Sequence, residues 1–438
     1  MSRTILKSGI FSCLLLGVSV QAAERLYQPL PKDTLPTLSQ TGQSIVGVKT
    51  QTITLANSLQ VTTGQPYARP LTLELWYPAT RGSAAPALYQ DQTRSGKAFS
   101  IQGNAWRDAT PASDVGKLPV IVLSHGYTGY RSLMFYLGEH LASHGYIVAA
   151  IDHTDSTNAE IDFAKAPFAG FFSTLYHRSR DQQATLNYLM SPQSPLASMT
   201  QPNKAGLVGY SMGGFGALST LGACYQFNEA AIKQLTGSTE PSQIKAIGSM
   251  LNSCNAGQAQ VDAAWQAGVL MAPWGGQLQL FTPQSLAKIN TPVLYIAGDQ
   301  DDISGYQGIQ ALFNATGSKD RYLLTYHGAR HNIAAHPAPL VARDNEGDFG
   351  HYAEPAWDVQ RMNVINQHFV LAMFNCQLKQ QPEACKYLQL GNTRSDDKTG
   401  WTGFPARYNT GMSWQMASSS QAGSNRQTDS GTAKGRDN

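Results

Sequence analysis

Residues 206–218 read GLVGYSMGGFGAL and place one serine, Ser211, between glycines at both second-neighbour positions. An apolar run precedes the serine and a helix-like run follows it. Serines in surface loops make no such demand on their neighbours, because they usually cap a helix or a turn. A strained strand-to-helix turn does make it, since side chains at Gly209 and Gly213 would collide there. The stretch therefore predicts a nucleophile elbow with Ser211 as a reactive serine.

Apolar runs alternate with helix-like segments on both sides of this turn. Residues 118–126 (LPVIVLSHG) form a continuous apolar run, residues 132–145 space their leucines on one helical face, and residues 146–152 (YIVAAID) are apolar again. Strand, helix, strand is the repeating unit of a buried parallel sheet. The alternation continues to residue 374. We predict an α/β fold with a doubly wound, mostly parallel sheet and helices on both faces.

Two later strands end in residues that can activate a serine. One strand ends in Asp299, Asp301 and Asp302, and the next ends with His327 and His331. Serine becomes nucleophilic when a histidine removes its proton and a carboxylate fixes the histidine tautomer, and the order Ser, Asp, His is that of α/β-hydrolases. The residues alone leave open which aspartate and which histidine act. A solvated or calcium-binding loop is the alternative, but the EF-hand glycine and distal glutamate are missing.

Acyl transfer also needs two donors for the developing oxyanion. The backbone N–H of Met212, at the start of the helix after the serine, is one. The tight turn in residues 123–131 (LSHGYTGYR) supplies the backbone N–H of Tyr127 as the other. The Tyr127 ring is placed to border the acyl pocket, with an ordinary core or surface aromatic as the alternative. This chemistry requires no cofactor and no metal.

Residues 118–156 resemble the platelet-activating-factor acetylhydrolases and the related predicted dienelactone hydrolases, and LELWYPA (73–79) resembles their strand containing Tyr-Pro. The similarity covers about residues 71–374. Dienelactone hydrolases proper use a cysteine nucleophile, whereas this chain has serine. The resemblance implies a triad of Ser211, Asp301 and His331, with Tyr127 and Met212 as the oxyanion hole.

Three short motifs are also similar to cutinase-like polyester hydrolases: GYT at 126–128, GYSMGG at 209–214 and APW at 272–274. In those enzymes the tryptophan lines an open aromatic cleft, which implies a substrate-binding role for Trp274. The chain departs from them by its insertions and its longer C-terminal tail.

Both ends of the chain differ in composition from its centre. Residues 1–22 carry Arg3 and Lys7 before a short apolar stretch and small residues, which predicts a signal peptide and a secreted or periplasmic protein. An N-terminal anchor is the alternative, but the stretch is too short for a membrane span. We expect a catalytic domain over 23–390 with an insertion around 223–245. A polar tail is expected over 391–438, disordered from about 418.

Four cysteines remain after removal of the signal peptide, an even number in a chain bound for an oxidising compartment. Of the three possible pairings, Cys224 with Cys254 and Cys376 with Cys385 close the shortest loops and are preferred. Four buried free thiols are the alternative.

The sequence thus predicts a secreted serine esterase for short to medium acyl esters, including platelet-activating-factor-like lipids. A formal net charge of +3 gives no indication of nucleic-acid binding. A cutinase-like polyester hydrolase is the main alternative. A peptidase and a non-catalytic binding protein on the same scaffold are weaker ones, and the oligomeric state stays open.

Overall fold

A computed structural model describes residues 23–254, 261–395 and 400–417. Thirteen strands are defined within these ranges: β1 Val46–Gln60, β2 Gln65–Thr80, β3 Ala85–Gln92, β4 Ala98–Arg107, β5 Thr110–Pro111, β6 Leu118–Ser124, β7 Ile147–Asp152, β8 Thr200–Tyr210, β9 Trp265–Met271, β10 Val293–Gly298, β11 Arg321–Tyr326, β12 Thr393–Arg394 and β13 Met412–Met416.

The α-helices in the same ranges are α1 Phe135–Ser143, α2 Phe171–Met190, α3 Met212–Thr220, α4 Glu229–Thr236, α5 Pro241–Leu251, α6 Pro283–Leu286, α7 Tyr306–Ala315, α8 Glu346–Phe349, α9 Val359–Gln377 and α10 Pro382–Cys385. Short 3-10 helices lie at Lys32–Thr34, Thr37–Ser39, Ala197–Met199, Leu340–Asp344 and Lys386–Leu388. None of the helices in the described ranges is both long and apolar enough to cross a bilayer.

The strands form one sheet in the order β12-β13-β11-β10-β9-β8-β6-β7-β2-β1-β4-β3, with β5 paired to β2. The central six, from β11 to β7, are parallel. Every residue of β6 and β10 is buried, as a sheet covered on both faces requires. Successive side chains enter opposite apolar clusters, so Ile121 packs in one layer and Val122 in the other. The predicted fold class is confirmed.

The sequence did not indicate three of the strands or the start of one helix. The strand β9 was not predicted, because Gln266 and Gly268 interrupt its short apolar run. The hairpin of β3 and β4 was not predicted either. Residues 171–175, at the end of an aromatic-rich stretch, form the start of α2, since Thr174 and Leu175 begin its buried face.

The chain near its C-terminus contributes to the sheet. Residues 391–438 were expected to be a polar tail, yet β13 pairs antiparallel with β11 from Tyr322↔Met416 to Tyr326↔Met412. Met412 and Trp414 are buried, and the Trp414 ring stacks on Phe369 of α9 at 4.9 Å. The core therefore extends at least to Met416. The expected disorder from residue 418 and the signal peptide at 1–22 lie outside the described residues.

Two disulfides join the expected cysteine pairs. Cys224 is bonded to Cys254 and Cys376 to Cys385. The first encloses the expected insertion, which holds α4 and the start of α5. The second ties the end of α9 to α10, so each disulfide closes a local loop.

Candidate active site

Ser211 lies at the turn between β8 and α3 with φ 54° and ψ −114°, a conformation rare for residues other than glycine. The flanking glycines make this turn possible. A Cβ at Gly209 would overlap the backbone of Gly213, and a Cβ at Gly213 would overlap the carbonyl oxygen of Ser124. The structure therefore has the geometry of a nucleophile elbow.

Ser211, His331 and Asp301 form one hydrogen-bonded series. The Nε2 atom of His331 lies 3.0 Å from the Ser211 Oγ, and its Nδ1 lies 3.1 and 3.0 Å from the two Asp301 oxygens. The Asp301 side chain is fully buried, and the His331 side chain is 10% exposed. The loops after β8, β10 and β11 thus bring together the three residues that the resemblance implies.

Asp301 is held as an acceptor. Its Oδ1 receives hydrogen bonds from the backbone N–H groups of Ile303, at 2.9 Å, and Ser304, at 2.8 Å. Burial alone would raise the pKa of Asp301, but the hydrogen bond and charge of His331, together with these N–H donors, keep that pKa below its usual value. An ionised Asp301 accepts the Nδ1–H of His331 and leaves Nε2 free to accept the Ser211 proton.

The other acidic candidates have different partners. Asp299 lies 2.9 Å from the Nδ1 of His327 and accepts from the backbone N–H of Gly328 at 2.7 Å. Asp302 pairs with Arg330. Neither carboxylate is bonded to His331, so the structure separates the three aspartates that the sequence left ambiguous.

The turn at Gly126 packs directly against the serine. A Cβ added at Gly126 would lie 3.0 Å from the Ser211 Cβ, which brings the following residue, Tyr127, beside the elbow. The backbone N–H of Met212 is at the first position of α3, where no intrahelical acceptor exists. Both expected oxyanion donors therefore border Ser211.

Aromatic rings form one wall of the site. The ring of Phe171 makes edge contacts with Tyr127, at 5.4 Å between centroids, and with Trp274, at 5.6 Å. Trp274 is only 8% exposed, and its backbone N–H donates to the Ser211 carbonyl at 3.1 Å. Phe168, 72% exposed, continues the row toward solvent. Trp274 is thus buried between the rings of Phe171 and Phe215 and offers little surface to an open cleft.

A second Ser-His-Asp series lies beneath the site and was missed in the sequence. The Ser124 Oγ is 2.8 Å from the Nε2 of His153, whose Nδ1 is 3.0 Å from Asp181. All three residues are at most 1% exposed, so water and substrate cannot reach them. Gln182 joins this series to the elbow, because its Nε2 donates to the Ser124 Oγ and to the Gly213 carbonyl, each at 2.9 Å. The sequence gives no indication of this series, because its serine, histidine and aspartate lie far apart in the chain and follow no recognisable spacing.

Charge is balanced within this buried series. Arg69 donates to both Asp181 oxygens, at 3.1 and 3.0 Å. Burial lowers the pKa of His153 to about 3, so this imidazole is neutral and donates Nδ1–H to Asp181. Within the described ranges no group of acidic, histidine or cysteine side chains is arranged to hold a metal ion.

A PET hydrolase-like family model matches residues 103–240, and a model described as serine aminopeptidase, S33 matches 275–337. The chain is 27% identical over 249 residues to platelet-activating factor acetylhydrolase of Cavia porcellus, covering 51% of this chain and 49% of the relative. It is 34% identical over 99 residues to cutinase est1 of Thermobifida alba, covering 22% and 28%.

The match therefore spans less than half the length of each of these relatives. A ferulic acid esterase from Streptomyces cinnamoneus superposes with a TM-score of 0.55 at 20% identity, covering 82% of this chain and 95% of that one. This likeness shows the fold alone. Together these findings confirm the α/β-hydrolase fold and both resemblances.

Proposed function

We propose that this chain, an α/β-hydrolase related to the platelet-activating-factor acetylhydrolases and cutinases, is a serine esterase that hydrolyses carboxylic esters. The observation that carries the proposal is the continuous series from Ser211 through His331 to Asp301 at the carboxyl edge of the sheet. A peptidase would share this chemistry, and one of the two family matches is to a model described as serine aminopeptidase, S33.

The first half of the reaction forms an acyl-enzyme. His331 Nε2 removes the Ser211 proton as Oγ attacks the ester carbonyl carbon, and the carbonyl oxygen becomes an oxyanion. The N–H groups of Tyr127 and Met212 stabilise that charge, a contribution of about 10²–10³ in rate for a single donor. His331 then protonates the leaving alcohol as the C–O bond breaks.

The second half reverses these roles. Water takes the place of the alcohol, His331 Nε2 accepts its proton, and the hydroxide attacks the acyl carbon. Collapse of the second tetrahedral intermediate expels Ser211 Oγ, which recovers the proton from His331 and releases the acid. Asp301 stays ionised throughout and stabilises the imidazolium that forms in each half.

The wall of aromatic rings favours short to medium acyl groups, including those of platelet-activating-factor-like lipids. Tyr127 and Phe171 offer apolar surface beside Ser211, whereas the burial of Trp274 restricts the space for long flat chains. A polyester hydrolase is the second candidate, favoured by the PET hydrolase-like match and by the exposed ring of Phe168. Export to an oxidising compartment is supported by the two disulfides.

The test compares wild type and Ser211→Ala on p-nitrophenyl esters of graded acyl length and on a polyester film. We expect the substitution to lower kcat by several orders of magnitude, with the circular dichroism spectrum unchanged. A preference for acetyl to hexanoyl esters supports the small-ester assignment, and faster erosion of the film supports the second candidate. Undiminished hydrolysis by Ser211→Ala, or no hydrolysis by wild type, would refute the proposal.

A further inference from the structure

Arg94 occupies the turn between β3 and β4 and reaches the active-site loops. Its Nε donates to the Thr128 Oγ1 at 3.1 Å, and Thr128 directly follows Tyr127, the residue with the proposed oxyanion N–H. The guanidinium carbon lies 4.6 Å from the ring centroid of Phe163. The cation is therefore fixed on two sides, next to the oxyanion turn.

The guanidinium has no carboxylate to neutralise it. Within the described ranges Arg94 forms no salt bridge, and its two terminal nitrogens have no hydrogen-bond partner. The acidic side chain in its neighbourhood, Asp348, is taken up by the Thr93 hydroxyl at 2.8 Å and by the backbone N–H and hydroxyl of Ser95, at 2.9 and 2.5 Å.

Two other arginines in buried surroundings, Arg69 and Arg131, have carboxylate partners, whereas Arg178 forms no salt bridge in the described ranges but is only 1% exposed and closed to a ligand. Arg69 is paired with Asp155 and Asp181, and Arg131 with Glu74 and Asp152. Burial lowers the pKa of Arg94, whereas nearby tyrosines and Asp348 raise it. A guanidinium remains charged in proteins, so a partly desolvated one without a counter-ion is costly unless a ligand anion completes the site.

The neighbouring histidine adds a second unsatisfied group. His351 is 6% exposed, and its Nε2 has no hydrogen-bond partner among the described residues. Burial holds the pKa of His351 well below its usual value, and the charge of Arg94 lowers it further, so the imidazole is neutral. A neutral ring beside Arg94 leaves the guanidinium as the local positive charge facing a ligand.

We infer that Arg94 binds an anionic group, a carboxylate or a phosphate, on the ester substrate. The planar guanidinium suits both anions, because two parallel N–H groups can donate to two oxygens. The attachment to Thr128 places that anion on the same side of Ser211 as the oxyanion turn. The inference rests on the proposed esterase function and narrows its substrates to esters that carry a negative charge.

The kinetic test uses ester pairs that differ in charge. Mono-p-nitrophenyl succinate is compared with p-nitrophenyl butyrate for a carboxylate, and 1-acetylglycerol 3-phosphate with 1-acetylglycerol for a phosphate. For each pair we divide kcat/KM for the anionic ester by kcat/KM for the neutral ester. We expect Arg94→Gln to lower this ratio at least about tenfold in one pair, mainly because KM for the anionic ester rises. Arg94→Lys should keep part of the ratio, because the charge remains.

The matched control is Arg81→Gln. Arg81 is also an arginine stacked on an aromatic ring, with its guanidinium 3.7 Å from the Trp106 centroid, but it lies in the β2–β3 turn, at the other end of strand β3 from Arg94. Arg81→Gln should leave the anionic-to-neutral ratio of kcat/KM unchanged in both ester pairs. The inference would be overturned if Arg94→Gln left this ratio unchanged in both pairs, or if Arg81→Gln lowered it equally.

A binding measurement separates failure of the subsite from failure of the esterase proposal. Calorimetry on Ser211→Ala with monoethyl succinate and with 1-acetylglycerol 3-phosphate requires no turnover. We expect at least one of these two ligands to bind Ser211→Ala at least about tenfold more tightly than it binds the double variant Ser211→Ala/Arg94→Gln. Equal affinity for both ligands contradicts the subsite even if wild type hydrolyses esters, and Arg94-dependent binding supports it even if no ester is hydrolysed.

Discussion

At the scale of single residues, three aspartates within four positions are distinguished by what each contacts. Asp301 is buried against His331, whereas Asp299 is bonded to His327 and Asp302 to Arg330 at partly exposed positions. A carboxylate that does not touch the imidazole cannot fix its tautomer. The acid of the triad is therefore decided by contact and not by proximity in sequence.

This contrast predicts unequal effects of three amide substitutions. Asp301→Asn should lower kcat for p-nitrophenyl acetate by about 10⁴, because an amide favours the wrong histidine tautomer. Asp299→Asn and Asp302→Asn serve as matched controls and should retain most of the activity. A dead Asp299→Asn beside an active Asp301→Asn would reassign the acid.

The sequence predicted the serine of this site more securely than its acid. Gly209 and Gly213 must be glycine for steric reasons, so the elbow is readable from local sequence. The strand β10 ends at Gly298, and Asp299 to Asp302 form a turn, where the alternation of an extended strand no longer indicates which side chains share a face. Only the resemblance separated Asp301 from its neighbours. The place of Arg94 beside the site could not be predicted from the sequence, because this residue reaches the site from a hairpin distant in the chain.

At the scale of elements, α2 connects the oxyanion turn to the nucleophile elbow. Gln182 on this helix donates from one amide to the Ser124 hydroxyl and the Gly213 carbonyl, and its Oε1 accepts from Thr220 at 2.7 Å. These bonds join the strand before Tyr127 to the turn that carries Ser211. Gln182 is thus a positioning residue for the oxyanion hole.

We expect Gln182→Met to lower kcat at least about tenfold with a smaller change in KM, since only the alignment of the oxyanion donors is disturbed. The free energy of unfolding should fall by about 1–3 kcal/mol because buried polar groups lose partners. Gln183→Met is the matched control: Gln183 bonds to Asp262 and Trp265, far from the elbow. Gln183→Met should lower the free energy of unfolding without lowering kcat. Equal kcat values for Gln182→Met and Gln183→Met would refute the positioning role.

The last strand gives a second prediction at this scale. Truncation after Arg407 removes β13, which exposes the edge of β11 and uncovers Phe369. We expect this variant to be insoluble or to unfold at a lower temperature, because an open hydrophobic edge pairs with other chains. Truncation after Ala417 is the control and should behave as wild type. A soluble, fully active product of the first truncation would contradict the structural role of β13.

The peripheral strands were hard to predict for a common reason. The central strands are buried on both faces and appear as continuous apolar runs, such as residues 118–124. A strand near the edge such as β13 shows only the short alternation of MSWQM, in a region rich in glycine and polar residues. Its position is determined by tertiary packing against β11 and α9, which local sequence does not report.

At the scale of the whole molecule, the fold buries several histidines in the neutral form. Burial lowers the pKa of His140, His153 and His368 to about 3 each and that of His336 to about 4. In the unfolded chain each of these histidines would have a pKa of about 6.5. Between these values the unfolded state binds more protons than the native state, so stability falls as the pH falls. Asp91, whose pKa burial raises to about 8, opposes this trend, as do Glu139, Asp152 and Glu354, whose pKa values burial also raises.

We therefore expect the free energy of unfolding in urea to be lower at pH 5 than at pH 7. His368→Gln should reduce this pH dependence by up to about 1.4 kcal/mol per pH unit, the contribution of one histidine. His368 is fully buried and its Nδ1 accepts only from the backbone N–H of Leu38, so the substitution itself will also cost stability. That loss is the same at each pH, whereas the titration of His368 changes the slope of the free energy of unfolding against pH. Equal or greater stability at pH 5 would contradict the neutral burial of these rings.

The most direct test of the central claim is to trap the acyl-enzyme. Protein mixed with excess p-nitrophenyl acetate is quenched in acid within the first turnover, digested, and examined by peptide mass spectrometry. We expect one acetyl group, on Ser211, in an amount that matches the burst of p-nitrophenol, and no acetyl group in Ser211→Ala. Acetyl on another residue, or turnover with a burst and no acetyl on Ser211, would contradict it.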